Sequence, residues 1–302
     1  MISICMPTYN RINDLKRCLN SIFEGFKDYP YEVIIADGGS TDGTIEYLRK
    51  LKNVKLIEQG KLTGSIKAFN ECFKIAKGKH IFMSTDDFVL VPSVLIKMSK
   101  LLDENPKIGI VSPKMVEAYR NNYPNIGKIY NLIFYKIHMF PAKILKELNG
   151  FDENYRTYLI DIDFPLEVLK AGYTIIASRQ TGVYHYRSEV GAKKHKEKNK
   201  NAEKEQAYFN KKWKKLEDFS KEYIKQNSLK KNKKIFFENM SKIFRFRPIQ
   251  PLMRKEYRFM TKTYDTLLQK TVIYKDSKYE HLKEFYLAQK LPEDYLSKYG
   301  WY

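Results

Sequence analysis

The first half of this 302-residue chain predicts an α/β fold, a mostly parallel sheet with helices on both faces. Three observations carry that expectation. Short β-branched runs alternate with stretches whose apolar residues recur every three or four positions. The run within Glu32–Ala36 is apolar almost throughout, as a strand covered on both faces should be. Polar, glycine-bearing clusters follow the runs, where the loops at one edge of such a sheet belong.

In order, Ile2–Met6 reads as the first strand, and Asn13–Phe26 then places Leu15, Cys18, Leu19, Ile22 and Phe26 on one helical face. Glu32–Ala36 is the second strand. Thr41 and Asp42 can cap a helix whose face carries Ile45 and Leu48. Val54–Ile57 is a third strand, and Ile66–Ala76 a helix with Phe69, Cys72, Phe73 and Ala76 on one side. Ile81–Ser84 is a strand that ends at two carboxylates. Val94, Leu95, Met98, Leu101 and Leu102 mark another helix, and Gly109–Val111 another strand. In sheets of this kind ligands bind outside the carboxyl ends of the strands. Function is therefore expected in those loops.

Composition narrows the class. With 43% hydrophobic residues, 23 Tyr and 18 Phe, the chain can bury a sizeable core and is not a disordered one. Cys5, Cys18 and Cys72 stand among apolar neighbours at spacings that fit no zinc or disulfide framework, so buried thiols in a cytoplasmic protein are expected. The opening residues lead straight into a strand, without the long apolar stretch of a signal peptide. No window approaches the roughly 18–20 apolar residues of a spanning helix.

The clusters themselves are polar in specific ways. Pro7-Thr8-Tyr9-Asn10-Arg11 follows the first strand, offering a ring face for a base and a guanidinium for a diphosphate. Asp37-Gly38-Gly39-Ser40-Thr41-Asp42-Gly43-Thr44 follows the second, where a carboxylate can accept from base or ribose, although Asp-Gly-Gly-Ser is also ordinary turn chemistry. Thr85-Asp86-Asp87 ends the strand of Ile81, Phe82 and Met83. Two adjacent carboxylates repel unless a cation compensates, and hard oxygen donors suit Mg²⁺ or Mn²⁺; an isolated pair also reads as a helix N-cap before Pro92.

These three clusters, in this order and at these spacings, make the chain resemble the inverting glycosyltransferases of family 2. The resemblance implies the GT-A fold, a Rossmann-like mixed, mostly parallel sheet flanked by helices. It implies that Pro7, Thr8, Tyr9, Arg11, Asp37, Gly64 and Asp86 line a nucleotide, and that Asp87 holds a divalent metal, Mn²⁺ or Mg²⁺. Asn70 fits the same pattern between turn and pair. Farther on, Gly150-Phe151-Asp152-Glu153 precedes Asp161-Ile162-Asp163 and Lys170-Ala171-Gly172-Tyr173. By the resemblance, Gly150, Phe151 and Asp152 lie near the acceptor and Asp161 is the base that deprotonates its hydroxyl. Asp163 reads as a helix cap, with Pro165 in the first turn.

In family members a histidine at the distance of His185 completes the metal site, although one between two tyrosines is more often a structural hydrogen-bonder. The sequence departs from the family at two positions. Ile160 stands where an acidic residue usually precedes the base, and Glu167 where an arginine is often found. The implied partners are a nucleotide-sugar donor, UDP-linked by default, and a glycan or lipid-linked acceptor of cell-surface polysaccharide or glycoconjugate synthesis. Arg187–Lys200 is expected to act as a lid that keeps water out.

The resemblance covers about residues 1–190. Residues 1–192 are expected to form the catalytic domain, with the donor half to about residue 112, and 193–302 a mainly helical basic extension. The formal charge of +20 is concentrated there: 193–262 holds 23 Lys and Arg against 8 Asp and Glu. Interleaved with Phe236 and Phe244, that charge could lie peripherally on the anionic inner face of a membrane. The plainer reading packs these aromatics onto the catalytic domain or onto a second copy of the chain, as in a homo-oligomer. The competing function class is a nucleic-acid- or membrane-surface-binding protein with a silent catalytic domain. No zinc-finger spacing, RNA-recognition motif or repeat supports specific nucleic-acid binding.

Overall fold

Each element expected before Val111 forms, because its apolar residues face one layer or the other of a shared core. The computed structural model describes residues 1–26, 28–118, 126–130, 137–156, 159–186, 199–214 and 285–289. The elements are β1 (Ile2–Thr8), α1 (Ile12–Gly25), β2 (Tyr31–Asp37), α2 (Thr44–Arg49), β3 (Val54–Glu58) and α3 (Ser65–Ile75). Next come β4 (His80–Met83), β5 (Phe88–Leu90), α4 (Pro92–Glu104), β6 (Ile108–Ala118), β7 (Ile126–Tyr130) and β8 (Met139–Pro141). The described chain ends with α5 (Ala142–Glu147), α6 (Ile160–Lys170), β9 (Thr174–Tyr186), α7 (Asn199–Lys212) and β10 (Phe285–Gln289).

The strands form one sheet in the order β10-β9-β6-β8-β4-β1-β2-β3, with β5 added to β9 and β7 to β6. Strands β4, β1, β2 and β3 run parallel. The short β8 is antiparallel to both β4 and β6, while β6 and β9 are parallel to each other. The sheet is therefore mixed and mostly parallel, as the sequence predicts. Strand β10 comes from the extension expected to be helical; most of that extension, including the segments around 227–246, lies outside the described residues, as do 187–198 of the expected lid.

Two cores follow from the two-residue alternation of side chains along each strand. Cys5, Ile34, Ile81 and Met83 face one layer with α3, α5 and α6, while Ile4, Val33, Ile35 and Phe82 face the other with α1 and α4. Each fully buried Leu, Ile or Phe contributes on the order of 2 kcal/mol, which is what holds helices of modest length on the sheet. All three cysteines are buried and form no disulfide. Among the described residues, no helix is long and apolar enough to cross a membrane.

Two histidines sit within this core. His80 Nδ1 lies 2.7 Å from Ser99 Oγ, and His138 Nδ1 2.9 Å from Ser112 Oγ. Burial lowers both, His80 to about 4 and His138 to about 3. A base whose folded value is depressed loses stability as pH falls below its unfolded value near 6.5, because only the unfolded chain takes the proton. Asp86 acts in the opposite direction (see below), so the diagnostic quantity is a difference. The stability advantage of the wild type over His138→Gln should shrink by up to about 1.4 kcal/mol per pH unit between pH 6 and 4. Urea unfolding at several pH values measures it. A gap that does not change with pH would show that His138 takes a proton in the folded chain.

Candidate active site

Strands β4, β1 and β2 lie side by side, so the loops at their carboxyl ends meet. Pro7 and Thr8 are still in β1, in register with Ala36 and Asp37. Thr8 Oγ1 donates to Asp86 Oδ2 at 2.8 Å. Arg11 Nη1 donates to Asp86 Oδ1 at 3.0 Å and to Asp87 Oδ2 at 2.8 Å, so one nitrogen bridges two buried carboxylates. Asp87 also accepts from Thr85 Oγ1 at 2.6 Å, and His185 Nε2 stands 3.4 Å from its Oδ2. His185 reaches this place because β5 and β9 pair antiparallel with Phe88 opposite His185. The two rings meet edge to face, with centroids 5.1 Å apart.

The two carboxyls differ in their hold on a proton. Burial pushes Asp86 up to about 7, opposed by Arg11 and reinforced by the charge of Asp87. Burial acts on Asp87 too, but the bonds and charges of His185 and Arg11, with the bond from Thr85, outweigh it and hold Asp87 well below the usual carboxylate range. Once His185 gives up its proton, Asp87 and His185 offer an ionised oxygen and a ring nitrogen side by side, donors that suit Mn²⁺. Among the described residues no group of three or more His, Cys, Asp or Glu could hold a metal ion. A metal here would take its other ligands from a substrate's phosphates and from water, as Mg²⁺ and Mn²⁺ in phosphate sites commonly do.

The loop after β2 is shaped by Asp37. Its Oδ1 accepts from the amides of Gly39 and Ser40 at 2.8 and 2.7 Å, and its Oδ2 from Ser40 Oγ at 2.6 Å. The carboxylate is fully buried by the turn it holds, so in this conformation solvent does not reach it. Gly39 has φ +85, and a Cβ there would lie 2.8 Å from the carbonyl oxygen of Gly60, which fixes glycine at that position. Asn10 ties this loop to the first one, receiving Thr41 N on its Oδ1 at 2.7 Å and donating its amide to Ser40 Oγ at 2.8 Å. Asp42 serves two helices, accepting from Ile12 N at 3.0 Å and from Thr44 N at 3.2 Å. Tyr9 and Leu62 flank Gly38, making an apolar shelf beside the loop. Leu62 is half exposed and was not legible as a site residue, because one leucine in a polar loop carries no pattern.

Gly64 marks where the two halves cross. At φ +106, a Cβ there would fall 2.6 Å from Arg156 Cγ and 2.8 Å from the Arg156 carbonyl oxygen. Asn70 makes the second crossing: Nδ2 donates to the Phe151 carbonyl and to Glu153 Oε1, both at 2.9 Å, and Oδ1 accepts Phe151 N at 2.8 Å. Gly150 lets this happen, since its Cβ position is 3.0 Å from Asn70 Oδ1. Phe151 is buried against Phe73 and Phe164, with ring centroids 4.9 and 4.7 Å away. Asp152 accepts from Tyr208 Oη at 2.8 Å and Lys212 Nζ at 2.9 Å.

Asp161 lies half-buried in the first turn of α6. Asp163 is not the cap. The helix begins three residues earlier, at Ile160, and Asp163 is buried inside it, bonded to Tyr155 Oη at 2.9 Å, Lys212 Nζ at 2.9 Å and Trp213 Nε1 at 2.7 Å. Pro165 accordingly falls within the helix rather than in its first turn. Tertiary donors satisfy a carboxylate that capping rules would put at the helix end. Ile160, 2% exposed, is a core anchor; a carboxylate there would be placed among Phe151 and Phe164. A cavity of about 590 Å³ opens beside α6, and its lining includes Gly150, Phe151, Asp152, Ile160, Asp163 and Lys212.

Comparison with known proteins agrees with this geometry. The model of Glycosyl transferase family 2 matches residues 3–153. The chain is 26% identical over 227 residues to a dolichyl N-acetyl-alpha-D-glucosaminyl phosphate 3-beta-D-2,3-diacetamido-2,3-dideoxy-beta-D-glucuronosyltransferase of Methanococcus voltae, covering 63% of this chain and 68% of that one. It is 29% identical over 168 residues to a poly(ribitol-phosphate) beta-glucosyltransferase of Bacillus spizizenii, covering 48% of this chain and 26% of that one. The chain thus spans about two thirds of the length of the first relative and about a quarter of the second. Among solved structures, S. aureus TarS 1-349 in complex with UDP superposes with a TM-score of 0.51 at 21% identity, over 62% of this chain and 60% of that one, a likeness of fold. The family match spans half of the chain and takes in the β1 loop, the Asp37 turn, the Asp86–Asp87 pair and the Gly150–Glu153 segment. This chain, with its GT-A fold, belongs to glycosyl transferase family 2.

Proposed function

We propose that the chain is a metal-dependent, inverting glycosyltransferase that moves a sugar from a nucleoside diphosphate, UDP by default, to a hydroxyl of a glycan or lipid-linked acceptor in cell-surface polysaccharide or glycoconjugate synthesis. The observation that carries this reading is the cluster of Thr8, Arg11, Asp86, Asp87 and His185, which brings two buried carboxylates, a guanidinium and an imidazole together at the strand ends. The relatives named for dolichyl phosphate and poly(ribitol-phosphate) substrates support a lipid-linked or polymeric acceptor.

In this reading Tyr9 and Leu62 border the base, and Arg11 turns from the carboxylates to the diphosphate as the donor enters. Asp87 and His185 hold the metal, which when bound supplies Lewis-acid charge neutralisation at the leaving diphosphate. Asp161 takes the acceptor's proton as its oxygen attacks the anomeric carbon from the face opposite the diphosphate. The bond from that carbon to the diphosphate oxygen breaks with its electron pair, and the configuration inverts without a covalent intermediate. Gly150–Asp152 receive the acceptor; the cavity beside them is lined by Ile160 and Asp163, on either side of Asp161, but not by Asp161 itself.

The test is thermal unfolding with UDP, GDP or dTDP, each with and without Mn²⁺. One nucleotide at a hundred times its Kd should stabilise the fold by about 2.7 kcal/mol, a rise of several degrees, and only with metal present. If none of the three gives a metal-dependent shift, the donor site is misassigned.

A further inference from the structure

Helix α7 lies outside the family match, yet it packs on the segment that carries the proposed base. We propose that α7 is part of the acceptor half and that its last residue, Lys212, is a positioning residue for transfer: Lys212 clamps the Gly150–Arg156 loop to the first turns of α6 and so fixes Asp161. The inference rests on the reading of Asp161 as the base.

The geometry is specific. Lys212 Nζ lies 2.9 Å from Asp152 Oδ2, 2.9 Å from Asp163 Oδ2 and 3.1 Å from Glu167 Oε1. An ammonium has three donors, and here they meet three carboxylates from two separate segments. Burial disfavours the Lys212 charge, but Asp163, Asp152 and Glu167 outweigh it and raise its hold on the proton. The surroundings reinforce the link. Trp213 Nε1 donates to Asp163 Oδ1, Tyr208 Oη to Asp152 Oδ2, and Arg156 N to Glu205 Oε1 at 3.1 Å. Phe209 and Trp213 are buried in the same core as Phe151 and Phe164.

Local determinants of the α6 start are weak, which is why a distant cation matters. Leu159 precedes the helix at φ +59 with no side-chain cap. Pro165 has no N–H to give the carbonyl of Asp161, four residues earlier. Asp163, two residues after Asp161, ties this turn to Tyr155, Trp213 and Lys212, and of these only Lys212 carries a positive charge. Without the lysine, Asp152 and Asp163 face each other across the junction of loop and helix without a shared cation, while Glu167 keeps Lys170 at 3.5 Å. Glu167 is already in contact with Lys212, so an arginine at 167 could supply the cation from α6 itself.

The experiment uses the full chain with Mn²⁺ and UDP-glucose or UDP-N-acetylglucosamine, following UDP release with water in place of the acceptor. Lys212→Met is expected to lower kcat about 10–100-fold, the size a displacement of roughly 1 Å produces, with donor KM and the UDP thermal shift unchanged. Lys212→Arg, and Lys212→Met combined with Glu167→Arg, should recover most of the loss. Amide hydrogen exchange across 150–170 should quicken in Lys212→Met and return to wild type in the double variant. Wild-type kcat and exchange in Lys212→Met would overturn the proposal, as would a loss that neither cation restores. Should Lys212→Met not fold, recovery of turnover and exchange by the double variant decides it. A wild type that releases no UDP from either donor counts against the transferase reading instead, and exchange alone then decides the clamp.

Discussion

Replacing Asp161 by asparagine is expected to reduce turnover about 10²–10⁴-fold, the range for losing a general base, while metal-dependent stabilisation by the nucleotide stays intact. Asparagine keeps the shape of the side chain while removing its charge and its capacity to accept a proton. The neighbouring carboxylates cannot stand in. Asp163 has both oxygens engaged by Tyr155, Lys212 and Trp213, and Asp152 is held by Tyr208 and Lys212. Glu153 accepts from Asn70. Measuring UDP release and the thermal shift in the same samples separates chemistry from binding. Full turnover in Asp161→Asn would remove this residue from the mechanism and leave the donor site standing.

The second large effect is a contrast between two substitutions that touch the same contact. Arg11→Met leaves Asp86 and Asp87 buried, adjacent and without their shared cation, and breaking such a group costs about 3 kcal/mol. Asp87→Ala removes a carboxylate whose bonds and charges with Arg11, His185 and Thr85 outweigh its burial, so unliganded stability should fall here as well, while Arg11 stays on Asp86 at 3.0 Å. The ligand responses should run in opposite senses. Mn²⁺ alone should stabilise Arg11→Met more than wild type, because the ion replaces the missing cation, whereas Asp87→Ala should lose the metal-dependent nucleotide shift altogether. Melting curves of the three proteins, alone, with Mn²⁺ and with Mn²⁺ plus UDP, give the comparison. If both variants respond alike to the ligands, the pair is a structural feature and not the metal site.

How much of this was legible in the sequence follows from the range of each interaction. The strands and helices up to Val111 are readable because their apolar spacing is local and each buries one face. The polar clusters are readable because strand ends converge in such a sheet. The antiparallel additions β5, β7 and β8 are too short or too irregular to announce themselves, and β5 is what sets His185 against Asp87. Asp163 shows the opposite failure, a local capping rule overridden by Tyr155, Lys212 and Trp213 arriving from elsewhere. Gly64 and Asn70 stood out by resemblance, but that they join the two halves depends on Arg156 and Phe151, some eighty to ninety residues away. Lys212 had no signature in a stretch full of lysines; only its three carboxylates distinguish it.

The bridge from Arg11 to Asp86 and Asp87 also bears on the order in which the molecule is made. All three residues leave the ribosome before His185, which follows Asp87 about a hundred residues later, a delay of roughly 5–20 s at ordinary rates of synthesis. Throughout that interval the acidic pair lacks its imidazole neighbour, but its own guanidinium is already present. The nascent chain can therefore close β1 against β4 with a cation of its own already between the two carboxylates, and need not wait for an ion or for the second half of the enzyme.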